Sequence, residues 1–235
     1  MKAIIAALEL LLLFSIPQAI VLLRFAFVFL GLPVRTMLDR RMLLFALTVS
    51  VLVDISFFTM PMYVHPIVAI VIFTFVARLF FPVLHNWKSL LLVVFLNFSA
   101  SWISELGGVT IAQYFIDPIA LREGPAYYKA IFLLPIVFLF AVAARLMEKR
   151  RFHPGRRIAR FLQEARNTPI LYFMLLIFIQ TLMLALFFTT RFWSRYEEVA
   201  QALFYLGTVT ILVVSFLTLR LIVKTRDEAI PVALH

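Results

Sequence analysis

The chain is patterned as long apolar stretches separated by short polar segments. A bilayer core of about 30 Å needs about 20 helical residues, and seven stretches reach that length. In chain order they cover residues 5–31, 42–60, 63–84, 89–106, 129–147, 168–190 and 199–223. Gly31 and Pro33 predict the end of the first helix, and Gly107-Gly108 predicts the end of the fourth, because glycine caps helices and proline cannot continue them.

Composition narrows the class of protein. Of the 235 residues, 64% are hydrophobic and 14% are charged, whereas about a quarter are charged in an average soluble domain. That balance excludes a soluble enzyme and a disordered chain, and long apolar runs do not fit a membrane β-barrel. We therefore predict an all-α, multi-pass membrane bundle of about seven helices, with one domain over residues 1–224 and a short cytoplasmic tail over residues 225–235.

The distribution of charge predicts the orientation. The net charge is +10, and most Lys and Arg residues fall in the segments that would share a side with the C-terminus. Cytoplasmic loops collect such residues, so we expect a cytoplasmic C-terminus, an outer N-terminus and residence in the cell membrane. The same rule explains the basic charge without nucleic acid. Arg24 and Arg78 lie inside predicted helices near their cytoplasmic ends, where we expect them to extend to the headgroups.

Polar side chains within the apolar stretches are the candidate ligand-binding residues. A carboxylate at the centre of a membrane helix costs roughly 2.5–3.5 kcal/mol on insertion scales, so it usually faces the bundle interior or water. Asn97, Ser101, Ser104 and Glu105 share one face of the fourth helix by their spacing. We predict a polar cavity that opens outward, with Asp54, Asn97 and Glu105 lining it between the second and fourth helices. The full set of candidates is Asp54, His65, Asn97, Ser101, Trp102 and Glu105. The alternative is that these groups form packing hydrogen bonds between helices, and that His65 is a first-turn residue.

A second candidate surface is the basic segment after the fifth helix. It contains Arg150, Arg151, Arg156, Arg157 and Arg160. Such a segment is suited to anionic lipid headgroups or a partner, or it sets topology alone. The chain has no cysteine and none of the HExxH, GxSxG or phosphate-binding glycine motifs. We therefore expect no enzyme activity, no cofactor and no metal site.

Several segments resemble the membrane region of sensor histidine kinases of Gram-positive bacteria, of the type related to the accessory-gene-regulator receptor kinases. They are IPQAIVLLRFAFVFLGLPVR, MYVHPIVAIVIFTFVARLFF, LNFSASWISELGG, LPIVFLFAVAARLMEKRRF and LRLIVKTRDEA. The resemblance implies a sensory module of a two-component system that binds a ligand at the outer face and moves its seventh helix. In the family a kinase domain follows the last helix, whereas these 235 residues contain none, and His235 lacks the surroundings of a phosphoacceptor. We therefore expect the sensory half of such a kinase, either standing alone or as a piece of a longer protein.

Three functions remain open from the sequence. The first is a membrane sensor without its own catalytic domain. The second is a solute-binding membrane component of a transporter, and the third is a lipid-modifying enzyme with Asp54 and Glu105 as acid and base. The expected partners are the lipid bilayer, a small-molecule or peptide ligand, and a second copy or a separate kinase. We expect no nucleic acid.

Overall fold

Over the residues that it describes, the computed structural model is helical and has no strand; these are residues 8–33, 39–60, 64–112, 114–116 and 126–156. These residues contain five α-helices, in chain order α1 (Ile16–Leu30), α2 (Arg40–Thr59), α3 (His65–Phe80), α4 (Trp87–Ala112) and α5 (Ala126–Lys149). A π-helical turn, Leu11–Ser15, precedes α1, and a 3-10 turn, Pro82–His85, precedes α4. The predicted sixth and seventh helices lie outside the described residues.

Within the described ranges, three segments are long and apolar enough to cross a membrane: Leu8–Leu30, Trp87–Glu105 and Ala130–Lys149. Helix α3 is shorter and apolar, and α2 has 20 residues, about 30 Å at 1.5 Å per residue. The predicted helical class is thus confirmed for the described part.

The outward faces of the helices are apolar. On α3, Ile67, Val71, Phe75 and Leu79 form a stripe at four-residue spacing, with side chains between 46% and 67% exposed. Contiguous apolar surface of this kind is rare on soluble monomers and suits contact with lipid.

The five helices alternate in direction. The rings of Phe27 and Phe81 bring together the ends of α1 and α3, and Phe45 and Phe81 add the start of α2. His153, just after α5, binds the carbonyl of Val28 near the end of α1. We call this the basic end, because it carries Arg40, Arg41, Arg78, Lys88 and Lys149. Ser56 and His65 lie at the opposite end.

Aromatic packing joins the first four helices near the basic end. Phe45 of α2 is fully buried and meets Phe73 and Phe81 edge-on, with ring centroids 5.4 Å apart in both pairs. Phe81 also meets Phe27, at 5.3 Å, and Phe73 meets Phe98 of α4, at 5.6 Å. Edge-to-face geometry is the favoured arrangement of aromatic pairs, so this cluster fixes the relative positions of the four helices.

Helix α1 ends where the sequence predicts. Gly31 has a φ of +66°, and its amide donates to the carbonyl of Val28 while the amide of Leu32 donates to that of Phe27. This is the Schellman motif, which needs a left-handed residue after the helix and so favours glycine. Pro33 then prevents continuation.

Helix α4 does not end at Gly107-Gly108, so that prediction is wrong. The helix continues to Ala112, because the two glycines face α5. A Cβ at Gly108 would lie 2.7 Å from Cγ of Leu133 and 3.1 Å from the carbonyl oxygen of Phe132. A Cβ at Gly107 would lie 2.6 Å from Cδ1 of Ile136. The glycines therefore permit close helix packing, as small residues do in membrane bundles.

An ion pair joins the ends of α1 and α5. Nη2 of Arg24 lies 2.7 Å from Oε2 of Glu148, and the two side chains are 19% and 28% exposed. Arg24 is thus near the basic end, as predicted, but it binds a carboxylate 124 residues away. Arg78 is an exposed residue in the last turn of α3, where a cation interacts favourably with the helix dipole.

Candidate functional site

Asp54 of α2 faces α1. The Ser15 hydroxyl donates to the Asp54 carboxylate and lies 3.0 Å from each of its oxygens. Asp54 is half-buried and lies five residues before the end of α2, about 7.5 Å inside the helix at 1.5 Å per residue. This carboxylate therefore lies within the bundle, in the half away from the basic end.

A second polar chain links α1 to α4. The Gln18 amide nitrogen donates to the Ser101 hydroxyl at 3.1 Å. The Ser101 hydroxyl in turn points toward Oε1 of Glu105, at 3.5 Å. Ser15 and Gln18 are three residues apart and so lie on neighbouring positions of the α1 surface. We call Ser15, Gln18, Asp54, Ser101 and Glu105 the polar seam.

The backbone of α1 is distorted at the polar seam. Pro17 has no N–H to give to the carbonyl of Leu13, and its ring crowds that carbonyl. The preceding turn, Leu11–Ser15, widens into a π-helix, in which the Ile16 amide donates to the carbonyl of Leu11. Single π-turns inside helices occur often at functional sites. Here the wide turn ends at Ser15, the residue that binds Asp54.

Two buried polar groups lie one helical turn from the polar seam, toward the basic end. Ser50 is four residues before Asp54 on α2, and Asn97 is four residues before Ser101 on α4. They are 3% and 7% exposed, and neither Oγ of Ser50 nor Oδ1 of Asn97 has a hydrogen-bond partner. Buried polar groups without partners are uncommon and costly, so these two oxygens are candidate ligand acceptors.

The remaining predicted residues of the cavity have structural contacts. Ser104 is fully buried and donates to the carbonyl of Ser101, and Trp102 is 7% exposed. His65 begins α3, where its Nδ1 lies 2.9 Å from the Ser56 hydroxyl and its ring meets Phe57 edge-on. Ser56 also donates to the carbonyl of Val53, so Nδ1 of His65 is the donor to Ser56. His65 thus ties α2 to α3 as a first-turn residue.

The structure joins the predicted residues through α1. The sequence predicts direct apposition of the second and fourth helices around Asp54, Asn97 and Glu105. In the structure α1 packs against α2, α4 and α5, and its Ser15 and Gln18 contact Asp54 and Ser101. Sequence reasoning missed these two residues and Ser50. A detectable signal was present, because Ser15 and Gln18 are polar residues on either side of a proline within an apolar helix.

The arrangement supplies acceptors for a ligand that carries hydrogen-bond donors. Two carboxylates, a hydroxyl and an amide oxygen suit an ammonium group or a donor-rich polar group. Within the described part of the chain, no three His, Asp or Glu side chains are grouped as metal ligands.

The basic segment after α5 is partly described. Arg150, Arg151 and Arg156 are exposed, whereas Arg157 and Arg160 lie outside the described residues. Segment 150–156 folds back onto the end of α1. Nδ1 of His153 lies 2.8 Å from the carbonyl of Val28, and the Gly155 amide donates to the carbonyl of Phe29 at 2.9 Å.

Comparison with known proteins gives no match: no family model, no curated protein and no solved structure is significantly similar to the chain. Over the described residues, the fold and the site define a helical protein in which three apolar segments have membrane-spanning length. Polar groups lie between its helices. The resemblance to receptor histidine kinases stays a prediction.

Proposed function

We propose that the protein is a membrane sensor module that binds a small ligand at the polar seam. The ligand is a small molecule or peptide that presents a positive charge or several hydrogen-bond donors. Following the resemblance, the signal passes to a second copy or to a separate kinase of a two-component system.

The observation that carries this proposal is the connection of Asp54 on α2 and Ser101–Glu105 on α4 to a single distorted turn of α1. A carboxylate in an apolar helix is costly and usually functional. The unpartnered oxygens of Ser50 and Asn97 supply acceptors that a ligand would satisfy.

The proposed signal is a movement of α1. The bonds from Ser15 and Gln18 hold α1 in one position against α2 and α4. A ligand that donates hydrogen bonds to the Asp54 carboxylate and the Ser101 hydroxyl competes with those bonds and favours a second position. A ligand shifts such an equilibrium only by its differential affinity for the two states. The π-turn places this contact at an irregular part of the α1 backbone.

We further propose seven membrane spans with the basic end in the cytoplasm, an outer N-terminus and a cell-membrane location. Support comes from the charges: Arg40, Arg41, Lys88 and Lys149 share one end of the bundle, and basic residues concentrate on the cytoplasmic side. The polar seam then lies in the outer half of the membrane, where a ligand from outside can enter.

Cysteine labelling tests this orientation, because the natural chain has no cysteine. Tyr114→Cys lies beyond the end of α4 and Phe152→Cys lies at the basic end; their native side chains are 78% and 60% exposed. We expect a membrane-impermeant maleimide to label position 114 in intact cells and position 152 only after permeabilisation. The reverse pattern would overturn the orientation.

Thermal stability in lipid nanodiscs tests ligand binding. The probes are a panel of polyamines, amino-acid amides and short cationic peptides. We expect at least one probe to raise the melting temperature of the natural protein, because binding only the folded state stabilises it. Asp54→Asn should weaken that probe at least about tenfold, since it removes a charge-assisted contact of about 1.5–3 kcal/mol.

The matched control is Thr59→Val on the same helix. Thr59 is exposed and donates only to the carbonyl of Ile55 in its own helix, so the probe should bind this variant as tightly as the natural protein. A panel in which no probe stabilises the natural protein contradicts the proposed function. Equal affinity for the natural protein and Asp54→Asn places binding away from the polar seam.

A solute-binding component of a transporter is the second candidate, favoured by the π-turn of α1 beside Asp54. Interrupted helices beside polar groups near the middle of the membrane are typical of transporters. Uptake of the stabilising probe into proteoliposomes separates the two functions, because a sensor binds the probe without moving it across the membrane.

A further inference from the structure

The segment after α5, residues 150–156, forms a fixed strap across the end of α1. His153 and Gly155 bind the carbonyls of Val28 and Phe29. These carbonyls belong to the last turn of α1, where carbonyl groups have no N–H partner within the helix. The strap supplies donors in addition to the bond from the Gly31 amide. Gly155 is buried, and a Cβ there would lie 2.6 Å from Cδ1 of Phe29. The strap is therefore held by backbone bonds and close packing.

The strap directs its charges outward. Arg150, Arg151 and Arg156 are exposed. The nearby acid Glu148 is already paired with Arg24. Phe152, between these arginines in the sequence, is 60% exposed. A bulky apolar ring among cations at the end of a membrane bundle matches the boundary between headgroups and acyl chains.

Arg151 occupies a backbone conformation that favours glycine. Its φ is +52°, and it is the only described residue other than glycine with a positive φ. The amide of Phe152 donates to the carbonyl of Met147, and the amide of Arg151 donates to that of Glu148. This is again the Schellman motif, in which glycine is preferred at the position of Arg151. The turn therefore has an arginine where glycine would fit the backbone better, and this arginine places a guanidinium group on the strap.

We propose that the strap binds the headgroups of anionic phospholipids through Arg150, Arg151 and Arg156, with Phe152 inserted beside them. Guanidinium groups bind phosphate oxygens in bidentate geometry, and basic residues next to a membrane helix attract anionic lipid. Bound lipid then steadies the contact between the end of α5 and the end of α1, independently of any ligand at the polar seam.

Lipid-specific quenching tests the proposal. A fluorophore on Leu146→Cys, a 50% exposed position one turn before Arg150, reports the neighbouring lipid in vesicles of phosphatidylcholine with a minor fraction of phosphatidylglycerol. The nitroxide quencher is attached to one lipid or the other. We expect phosphatidylglycerol, corrected for its mole fraction, to quench at least about twice as strongly as phosphatidylcholine, and less so at high salt.

Three variants locate the effect. Replacing Arg150, Arg151 and Arg156 together with Gln should equalise the two lipids. The control, Arg40→Gln with Arg41→Gln, removes two charges from the same end and should keep the preference. Arg151→Gly suits the backbone, so it keeps the fold and should lower the preference. Arg151→Lys keeps the charge without the bidentate geometry, so it should retain more of the preference than Arg151→Gly.

Two results would overturn the proposal. One is an unchanged preference for phosphatidylglycerol in the triple Gln variant or in Arg151→Gly. The other is loss of the preference on adding inorganic phosphate at constant ionic strength, which would identify a soluble anion as the occupant.

Discussion

Replacing Glu148 with Gln should lower the free energy of unfolding by about 3 kcal/mol. The substitution keeps the size of the side chain and removes the charge that faces Arg24 at 2.7 Å. Arg24 would remain a largely buried cation, and its Nε already has no hydrogen-bond partner. Removing one member of a buried pair costs about 3–5 kcal/mol, and the partial exposure of this pair places the effect at the lower limit. Titration with SDS in bicelles measures the change.

Two controls separate the ion pair from general charge effects. Lys149→Gln removes an exposed charge next to Glu148 on the same helix, and we expect a change below about 0.5 kcal/mol. Arg24→Met combined with Glu148→Leu removes both charges and should recover most of the lost stability, since apolar replacement of a buried pair is often neutral. A Glu148→Gln variant as stable as the natural protein would show that the pair does not stabilise the fold.

The partner of Arg24 also shows what the sequence does not contain. The place of Arg24 in the last turns of an apolar stretch correctly predicts a position near the basic end, because the position of a residue along its helix can be read from the local sequence. Its pairing with Glu148 depends on α1 and α5 running in the same direction side by side. The sequence of neither helix shows that the two are neighbours. Arg24, which we expected to extend to the headgroups, therefore binds the carboxylate of Glu148 instead.

The polar seam gives the same lesson for the candidate site. Helical spacing correctly groups Ser101 and Glu105 on one face of α4. The cost of a carboxylate in an apolar stretch correctly predicts that Asp54 faces the bundle, where it is half-buried against α1. Periodicity along one helix does not identify the helix that it faces. Ser15 and Gln18 of α1 supply that contact, and they become visible as partners only when α1 is placed between α2 and α4.

Glycine has two structural roles in this chain, ending a helix at Gly31 and allowing close helix packing at Gly107-Gly108. The sequence predicts the first role but not the second. Gly31 is followed closely by Pro33, so a helix end was predicted and is confirmed for α1. Gly107-Gly108 has no proline after it, and the helix continues because α5 lies against it. A glycine that stops a helix and one that admits a neighbouring helix differ in tertiary contacts rather than in local sequence.

The two adjacent glycines should therefore respond differently to the same substitution. Gly108→Ala should lower the free energy of unfolding by about 1–2 kcal/mol: overpacking costs about 1–3 kcal/mol, and the helical gain of alanine over glycine, about 0.5–1 kcal/mol, offsets part of it. The new Cβ would meet Leu133 at 2.7 Å and the backbone carbonyl oxygen of Phe132 at 3.1 Å, and a backbone atom cannot move aside without shifting α5.

Gly107→Ala is the matched control, one residue away in the same helix. Its Cβ would meet only the terminal Cδ1 of Ile136 at close range, at 2.6 Å, and the next atom lies 3.8 Å away. A terminal methyl group can rotate to another rotamer at small cost, so the helical gain of alanine should leave this variant as stable as the natural protein or slightly more stable. The SDS titration in bicelles compares the two variants directly. Two outcomes would contradict the close packing of α4 on α5 at Gly108: both variants destabilised to the same extent, or neither variant destabilised.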